Sequence, residues 1–123
     1  MTSSTPPSPP ASKASATYQA ALERSDAIAA RIRTNPEEFK MLTGERPTGA
    51  LHIGHYFGSI ANRLKLQSSN VEILLILADY QVITDREVAG DIRGSVRDVI
   101  LDNLAAGIDP DRATIFTHSS VPA

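Results

Sequence analysis

Two of the three histidines in this 123-residue chain stand three positions apart. They are His52 and His55, in the stretch RPTGALHIGHYFGSI (residues 46–60), and Gly54 lies between them. An imidazole can donate a hydrogen bond to a phosphate oxygen, and that bond strengthens as negative charge develops on the oxygen. A glycine lets a ligand approach the backbone closely because it has no side chain. The pattern therefore favours a site for a bulky anion.

Other kinds of chemistry fit this stretch less well. No Gly-Lys-Ser/Thr follows the glycines, so the stretch is not a Walker A loop, and it lacks the G-x-G-x-x-G spacing of dinucleotide-binding loops. Two histidines at i and i+3 without a third placed ligand make a poor zinc site, so no metal site is predicted. From spacing alone, a structural role for both histidines, as surface residues or a helix cap, stays open.

The composition is that of an ordinary soluble globular chain, with 41% hydrophobic and 21% charged residues. The absence of cysteine excludes disulfides, thiolate zinc sites and cysteine nucleophiles. The longest apolar run, VEILLILA at residues 71–78, is too short to span a membrane, and no secretory signal pattern is present. A cytoplasmic location without membrane association is therefore predicted. With a formal net charge of −2, any contact with nucleic acid must use local patches or parts outside this chain.

The chain divides into three regions by composition. Residues 1–16 are rich in proline and serine and are predicted to be a disordered tail. Residues 17–36 are predicted to be an appended helix, which ends at the Asn35-Pro36 step. Residues 37–123 carry an alternating strand and helix pattern and are predicted to be one incomplete domain.

Five alternating elements are predicted in this third region. They are a strand at 39–44, a helix at 55–67, a strand at 71–78, a helix that follows a capping box at Thr84 and Glu87 and ends at Gly107, and a strand at 113–117. Strands joined by helical crossovers are parallel with right-handed connections. The predicted fold class is therefore α/β, one half of a doubly wound, Rossmann-like nucleotide-binding fold.

The position of the histidines follows from this fold. Ligands of doubly wound sheets bind beyond the carboxyl ends of the strands, and residues 44–54 form a loop at such an end. The loop leads into a helix whose free N–H groups favour an anion, and Gly44 and Gly49 are predicted to let it turn. The nearly continuous apolar run at 71–78 predicts a strand covered on both faces.

Three ordered blocks of the sequence are similar to a known family. HIGH, at residues 52–55, resembles the signature of the class I aminoacyl-tRNA synthetases, and TGERPTGALHIGHYFGSI resembles its form in the tryptophanyl-tRNA synthetases. ILADYQVITD and LAAGIDPDRATIFTHSSVP resemble the next two blocks, in the correct order and spacing, so the resemblance covers about residues 41–122. It implies that residues 37–123 are the first half of a HIGH-type catalytic domain.

The resemblance also implies an activity and its partners. Enzymes of this family make tryptophanyl-adenylate from tryptophan and ATP, and then transfer the tryptophanyl group to tRNA(Trp). ATP with Mg²⁺ is a substrate rather than a bound cofactor. The full-length protein is expected to be a homodimer that contacts the tRNA mainly through parts absent here.

Residue roles follow where positions match the family pattern. The ATP site is expected to contain Arg46, Pro47, Thr48, Gly54 and His55. The transferring phosphoryl group is expected to be stabilised by His52 and His55. The amino-acid pocket is expected to contain Leu42, Gly44, Ala78 and Gln81.

Some positions depart from the family pattern. Gln81 stands where many members have histidine, and Arg46 where many have glutamine, although both keep hydrogen-bonding capacity. His118 has no implied role and is interpreted as a surface residue. For Asp79, which ends the second strand, two interpretations stay open: it orients the site, or it is a structural cap.

Three alternatives remain beside the tryptophanyl enzyme. They are a tyrosyl-tRNA synthetase, a small-molecule nucleotidyltransferase with the H-x-G-H motif, and a non-catalytic, truncated paralogue that binds nucleotide. The chain stops directly after its third predicted strand and is interpreted as a fragment of a longer protein. Expressed alone, residues 1–123 are expected to expose apolar surface, to aggregate and to have negligible activity.

Overall fold

The computed structural model describes residues 13–84 and 91–121. Its helices are α1 (Lys13–Thr34), α2 (Ile53–His55), α3 (Ala61–Ser68), α4 (Asp79–Ile83) and α5 (Ile92–Ala106). Its strands are β1 (Lys40–Glu45), β2 (Glu72–Leu77) and β3 (Ala113–Thr117). Short 3₁₀ turns lie at Pro36–Glu38 and His118–Ser120, and a π-helical turn at Tyr56–Ile60 joins α2 to α3 in one continuous helix.

The three strands form a parallel sheet in the order β1-β2-β3. The helix from α2 to α3 connects the first two strands, and α4 and α5 lie between the second and third. The predicted α/β class and the β-α-β-α-β order are confirmed. All three carboxyl ends meet at one edge of the sheet, where the chain leaves β1 for the loop that carries the two histidines.

One face of the sheet is covered by helices. Ile73, Leu75 and Leu77 alternate along β2 and are fully buried, at 0% exposure. Leu75 and Leu77 pack against Val99 of α5, and Leu51, Val96, Ile100 and Ile115 surround them. This cluster is the hydrophobic core behind the carboxyl edge of the sheet.

The opposite face, which we call the open face, is not covered in the same way within residues 13–84 and 91–121. Leu42 of β1 on this face is 67% exposed, whereas Leu74 and Ile76 of β2 on the same face are partly buried. Among the described residues, the predicted cover of the second strand is therefore complete on one face and partial on the other. Right-handed crossovers that step the same way along a sheet place their helices on the same side, which explains the asymmetry. By strand register the open face includes Leu42, Gly44, Leu74, Ile76, Thr114 and Phe116.

The π turn changes which side chains of the first crossover helix are buried. Helical spacing would align Phe57 with Ile60, yet Phe57 is 71% exposed while Ile60 is 3% exposed. The backbone N–H of Ala61 bonds to the carbonyl of Tyr56, an i to i+5 bond that puts an extra residue into this turn. The residues before the turn are therefore rotated relative to α3.

The N-terminal helix is longer than predicted. α1 begins at Lys13, inside the segment for which disorder was predicted, and residues 1–12 lie outside the described part of the chain. At the other end of α1, the guanidinium of Arg31 lies 5.0 Å from the centre of the Phe39 ring. Arg31 also pairs with Glu38 at 3.1 Å, and these contacts link the end of α1 to the residues directly before β1.

The start of α5 also differs from prediction. Thr84, predicted to begin a capping box, follows the end of α4, where its hydroxyl donates to the carbonyl of Gln81. Its predicted partner Glu87 lies outside the described residues. The N-cap of α5 is Asp91, whose carboxylate accepts the N–H of Gly94 at 2.9 Å. The predicted stop at Gly107 is confirmed, because this residue takes the left-handed conformation with φ 114°.

A buried polar network joins β1 to both crossover helices. Arg63 of α3 is 1% exposed and pairs with Glu45, the last residue of β1, at 2.5 Å. Asn103 of α5 donates to Glu45 at 2.9 Å and accepts from Arg63 at 3.1 Å. Arg63 also donates to the hydroxyl of Thr43 at 3.3 Å, although its Nε has no hydrogen-bond partner among the described residues.

Breaking this network should destabilise the protein strongly. Arg63→Met leaves the Glu45 carboxylate buried without its cation, so we expect the free energy of unfolding to fall by about 3–5 kcal/mol. The control is Lys40→Met, which breaks an ion pair to Glu72 whose side chains are 64% and 47% exposed. The control should lose less than about 1 kcal/mol. Urea unfolding of the full-length protein measures both, and equal losses would contradict a dominant role for the network.

Candidate functional site

A cleft of about 400 Å³ opens at the carboxyl end of β1. Its floor includes Glu45 and Arg63 of the buried network. Its walls include residues of the loop after β1 and of the helix that follows, namely Arg46, Thr48, His55 and Ser59. We call this space the β1 cleft. It lies where a doubly wound sheet is expected to bind its ligand.

The loop between β1 and α2 makes a sharp turn. Gly49 has φ 133°, a conformation that side chains disfavour, so its predicted turning role is confirmed. The predicted turning role of Gly44 is wrong, because this residue lies inside β1 on the open face. A Cβ at Gly44 would lie 3.4 Å from Cγ2 of Ile76, so the glycine keeps this part of the face flat.

The two histidines cap the start of the helix reciprocally. Nδ1 of His52 accepts the backbone N–H of Gly54 at 3.1 Å, and Nδ1 of His55 accepts the backbone N–H of His52 at 3.2 Å. The ring centroids are 4.0 Å apart. The arrangement is a capping box in which imidazoles stand in place of the usual hydroxyl and carboxylate.

This geometry determines which nitrogen of each ring can donate. A ring nitrogen that accepts an N–H carries no proton itself, so each neutral imidazole holds its proton on Nε2. His52 is exposed and His55 is partly buried at the rim of the β1 cleft. The structural and functional interpretations of these histidines are therefore compatible, because capping uses Nδ1 and leaves Nε2–H as a donor.

Gly54 makes room for the ring of His52. A Cβ added at Gly54 would lie 2.9 Å from Cε1 and 3.0 Å from Nδ1 of His52. Those distances are shorter than side-chain contacts allow, so any larger residue would displace the ring that caps the helix. The glycine between the histidines thus serves the orientation of the first one, a role that spacing alone does not reveal.

The π turn holds the next residues of the cleft wall. The hydroxyl of Ser59 donates to the carbonyl of His55 at 3.1 Å, which occupies an oxygen inside the irregular turn. Both residues line the β1 cleft. Turns of this kind interrupt a regular helix at some energetic disadvantage and are frequent at functional sites.

The structure gathers part of the predicted ATP set. Arg46, Thr48 and His55 line the β1 cleft, and Pro47 is fully buried beneath the loop. His52 and Gly54 are exposed at the start of the helix beside the cleft. All six predicted positions around the phosphoryl chemistry thus lie on one loop and its helix start, and two of them, His52 and His55, form the capping pair.

The predicted amino-acid set is more dispersed. Gly44 borders the β1 cleft, whereas Leu42 lies further back on the open face. Ala78 and Gln81 follow β2 at the same edge of the sheet, and Gln81 is exposed. The N–H of Ala78 donates to the carbonyl of Glu45 at 2.8 Å, which ties the end of β2 to the end of β1.

Asp79 links two carboxyl ends of the sheet. It is 6% exposed, and its carboxylate accepts the backbone N–H groups of Tyr80 and Ser119, each at 3.1 Å, and the hydroxyl of Ser119. Burial would raise the pKa of this carboxyl, but the hydrogen bonds from Ser119 and Tyr80 outweigh it and hold the pKa below the ordinary value of 3.8. His118 is exposed, as predicted, and its ring centre lies 5.2 Å from that of Tyr80.

The lowered pKa of Asp79 predicts a loss of stability in acid. Its contribution is complete above the ordinary carboxyl pKa of 3.8 and is lost as the pH falls through the lower folded-state pKa. We therefore expect Asp79→Asn to destabilise the protein near about pH 6, and the difference from wild type to shrink towards about pH 2. Unfolding free energies measured from about pH 6 to about pH 2 test this expectation. The control is Asp98→Asn, which changes an exposed aspartate. A constant difference would contradict the assignment.

Several residues of the site were not anticipated from the sequence. They are Glu45, Ser59, Arg63, Asp102 and Asn103. A signal for two of them was present, since Arg63 follows Ile60 and Asn103 follows Val99 at helical spacing, on faces that are buried. A polar residue within an apolar stripe indicates a buried hydrogen-bond partner on another element.

Within 13–84 and 91–121, no group of three or more histidine, cysteine or acidic side chains is arranged to hold a metal ion. In the same ranges, no helix combines the length and apolar character needed to cross a membrane.

Known proteins match this chain over the region that contains the site. The family described as tRNA synthetases class I (W and Y) matches residues 34–123. A tryptophan–tRNA ligase of Lactococcus lactis is 52% identical over 84 residues, which cover 67% of this chain and 25% of that protein. One of Borreliella burgdorferi is 48% identical over 85 residues, which cover 67% of this chain and 24% of that protein.

Solved structures give a similar result. Tryptophanyl-tRNA synthetase of Campylobacter jejuni matches with a TM-score of 0.57 and 28% identity, over 68% of this chain and 26% of that one. The same enzyme complexed with ADP and tryptophan matches with a TM-score of 0.55 and 29% identity, over the same shares of each chain. The chain spans about a quarter of the length of these relatives.

Proposed function

Because this chain belongs to the W and Y family of class I tRNA synthetases, we propose that the full-length protein that carries it activates tryptophan with ATP and charges tRNA(Trp). The matched segment contains the loop, both histidines and the β1 cleft. Relatives named as tryptophan–tRNA ligases, at 48–52% identity over this region, support the same activity.

The observation that carries the proposal is the reciprocal capping by His52 and His55 beside the β1 cleft, which uses Nδ1 of each ring and leaves Nε2–H as a donor. In adenylate formation a carboxylate oxygen of tryptophan bonds to the α-phosphorus of ATP, and the bond from that phosphorus to pyrophosphate breaks. Negative charge moves onto the phosphoryl oxygens, where His52 and His55 can donate. Both rings are held by their Nδ1 bonds before substrate arrives, so little reorganisation is needed. One such preorganised donor is worth on the order of 3 kcal/mol of barrier.

The remaining site residues position the substrates in this proposal. Arg46 and Thr48 on the cleft wall bind the phosphates, and Pro47 beneath them holds the loop rigid. Gly54 and His55 lie against adenine and ribose. Tryptophan occupies the side of the sheet edge near Leu42, Gly44, Ala78 and Gln81. Leu42 and Gly44 lie on the open face of β1, and Ala78 directly follows β2. Mg²⁺ enters with ATP as part of the substrate.

The full-length protein is also proposed to be a cytoplasmic homodimer. The relative crystallised with ADP and tryptophan supports an ATP and tryptophan site in one fold. The cytoplasm is proposed because tRNA is charged there for protein synthesis. Dimer formation is proposed from the family resemblance and is measured by sedimentation of the full-length protein.

The amino acid is tested by ATP–pyrophosphate exchange. The family covers enzymes for both tryptophan and tyrosine, so the full-length protein is assayed with each at matched concentrations. We expect exchange with tryptophan to exceed exchange with tyrosine by at least about a hundredfold, since a site built for one ring's polar group rejects the other strongly. Preference for tyrosine would reassign the specificity, and no exchange with either would overturn the enzymatic proposal.

The histidines are tested by separating binding from chemistry. We expect His52→Ala and His55→Ala each to lower the single-turnover rate of adenylate formation by about a hundredfold, with much smaller changes in tryptophan affinity. The control is His118→Ala, which removes an exposed histidine at the carboxyl end of β3. Adenylation at the wild-type rate in both capping variants would contradict the role of the Nε2–H donors.

A further inference from the structure

Helix α5 contacts both ends of the loop that lies between β1 and the two histidines. Asn103 donates to the carboxylate of Glu45, where the loop begins, at 2.9 Å. Its neighbour Asp102 accepts the backbone N–H of Leu51, directly before His52, at 2.8 Å. Two consecutive residues of one helix therefore determine where the loop starts and where it ends.

The contact at Leu51 is a two-point attachment. Its side chain packs against the buried cluster of Leu75, Leu77 and Val99, and its amide is held by the carboxylate of Asp102. Holding the N–H and the side chain of Leu51 holds its N, Cα and Cβ atoms, so ψ of Leu51 is the one soft backbone dihedral left before the next peptide plane. The next residue is His52, whose extended backbone, φ −128° and ψ 174°, lets its ring fold back over the helix start.

We propose that Asp102 is a positioning residue for adenylate formation, acting through the Leu51 amide on the orientation of His52 and His55. This inference rests on the proposed function. Asp102 is partly buried on α5 and reaches the loop through the Leu51 amide. It acts by keeping the capping pair in the geometry in which both Nε2–H groups can reach the same phosphoryl group. A displacement of about 1 Å at such donors can cost on the order of a hundredfold in rate.

The chain offers matched variants for this hypothesis. Asp102→Leu keeps the branching at Cγ and removes the acceptor, whereas Asp102→Asn keeps the size of the side chain and an acceptor oxygen and removes the charge. Asp98, exposed one turn earlier on the same helix, provides the control Asp98→Leu. Asp102→Ala replaces the leucine variant if the latter does not fold.

The first measurement is single-turnover adenylate formation by the full-length protein. We expect Asp102→Leu to lower the rate by roughly tenfold to a hundredfold, while the dissociation constants for ATP and tryptophan change less than about threefold. Asp102→Asn should recover most of the rate, and Asp98→Leu should match the wild type. A purely structural role would lower stability without separating rate from affinity. A folded Asp102→Leu variant with the wild-type rate would overturn the proposal.

The second measurement does not depend on activity. Native-state hydrogen exchange reports the protection of the Leu51 amide, which should fall about tenfold or more in Asp102→Leu and remain near wild type in Asp102→Asn and Asp98→Leu. Unchanged protection in Asp102→Leu would overturn the proposal. A wild-type protein whose Leu51 amide is protected but which shows no ATP–pyrophosphate exchange would overturn the proposed function instead. The two failures are therefore distinguishable.

Discussion

The ion pair between Arg63 and Glu45 is the constraint on which the rest of this structure depends. A guanidinium at 1% exposure is tolerable only when a carboxylate and further acceptors surround it. Those partners come from β1 and α5, at sequence separations of 18 and 40 residues from Arg63. The strand and the two crossover helices must therefore assemble together, and the carboxyl end of β1 is held where they meet.

The loop with the histidines begins at this fixed point. Glu45 is the last residue of β1, and the chain next passes Arg46 and Thr48 on the wall of the β1 cleft before Leu51 returns to the core. A loop whose ends are both anchored loses little further freedom when a ligand binds. This kind of preorganisation is what electrostatic stabilisation of a transition state requires.

The same atoms serve structure and proposed chemistry without conflict. Each imidazole uses Nδ1 to satisfy a free N–H at the helix start, which every helix must do in some way. Choosing histidine for this task leaves an Nε2–H donor on the far edge of the ring, whereas an ionised aspartate has no donor and a serine hydroxyl donates from the same atom that caps the helix. The glycine between them lets the first ring lie close to the backbone. The arrangement of His52, Gly54 and His55 thus caps the helix start and, in the proposed chemistry, also supplies two donors to the phosphoryl group.

The sequence by itself determined the order of strands and helices, the parallel α/β class, the turn at Gly49 and the stop at Gly107, because apolar periodicity and glycine conformation are local properties. It also indicated the loop on which most of the proposed ATP residues lie. Only the tertiary structure decided which face of the sheet is covered, since that depends on the direction of both crossovers. The π turn before α3 and the contacts of Asp102 and Asn103 with the loop were likewise decided there. The sequence separation is 51 positions for the contact between Asp102 and Leu51 and 58 positions for the contact between Asn103 and Glu45. No local pattern specifies pairings over such separations.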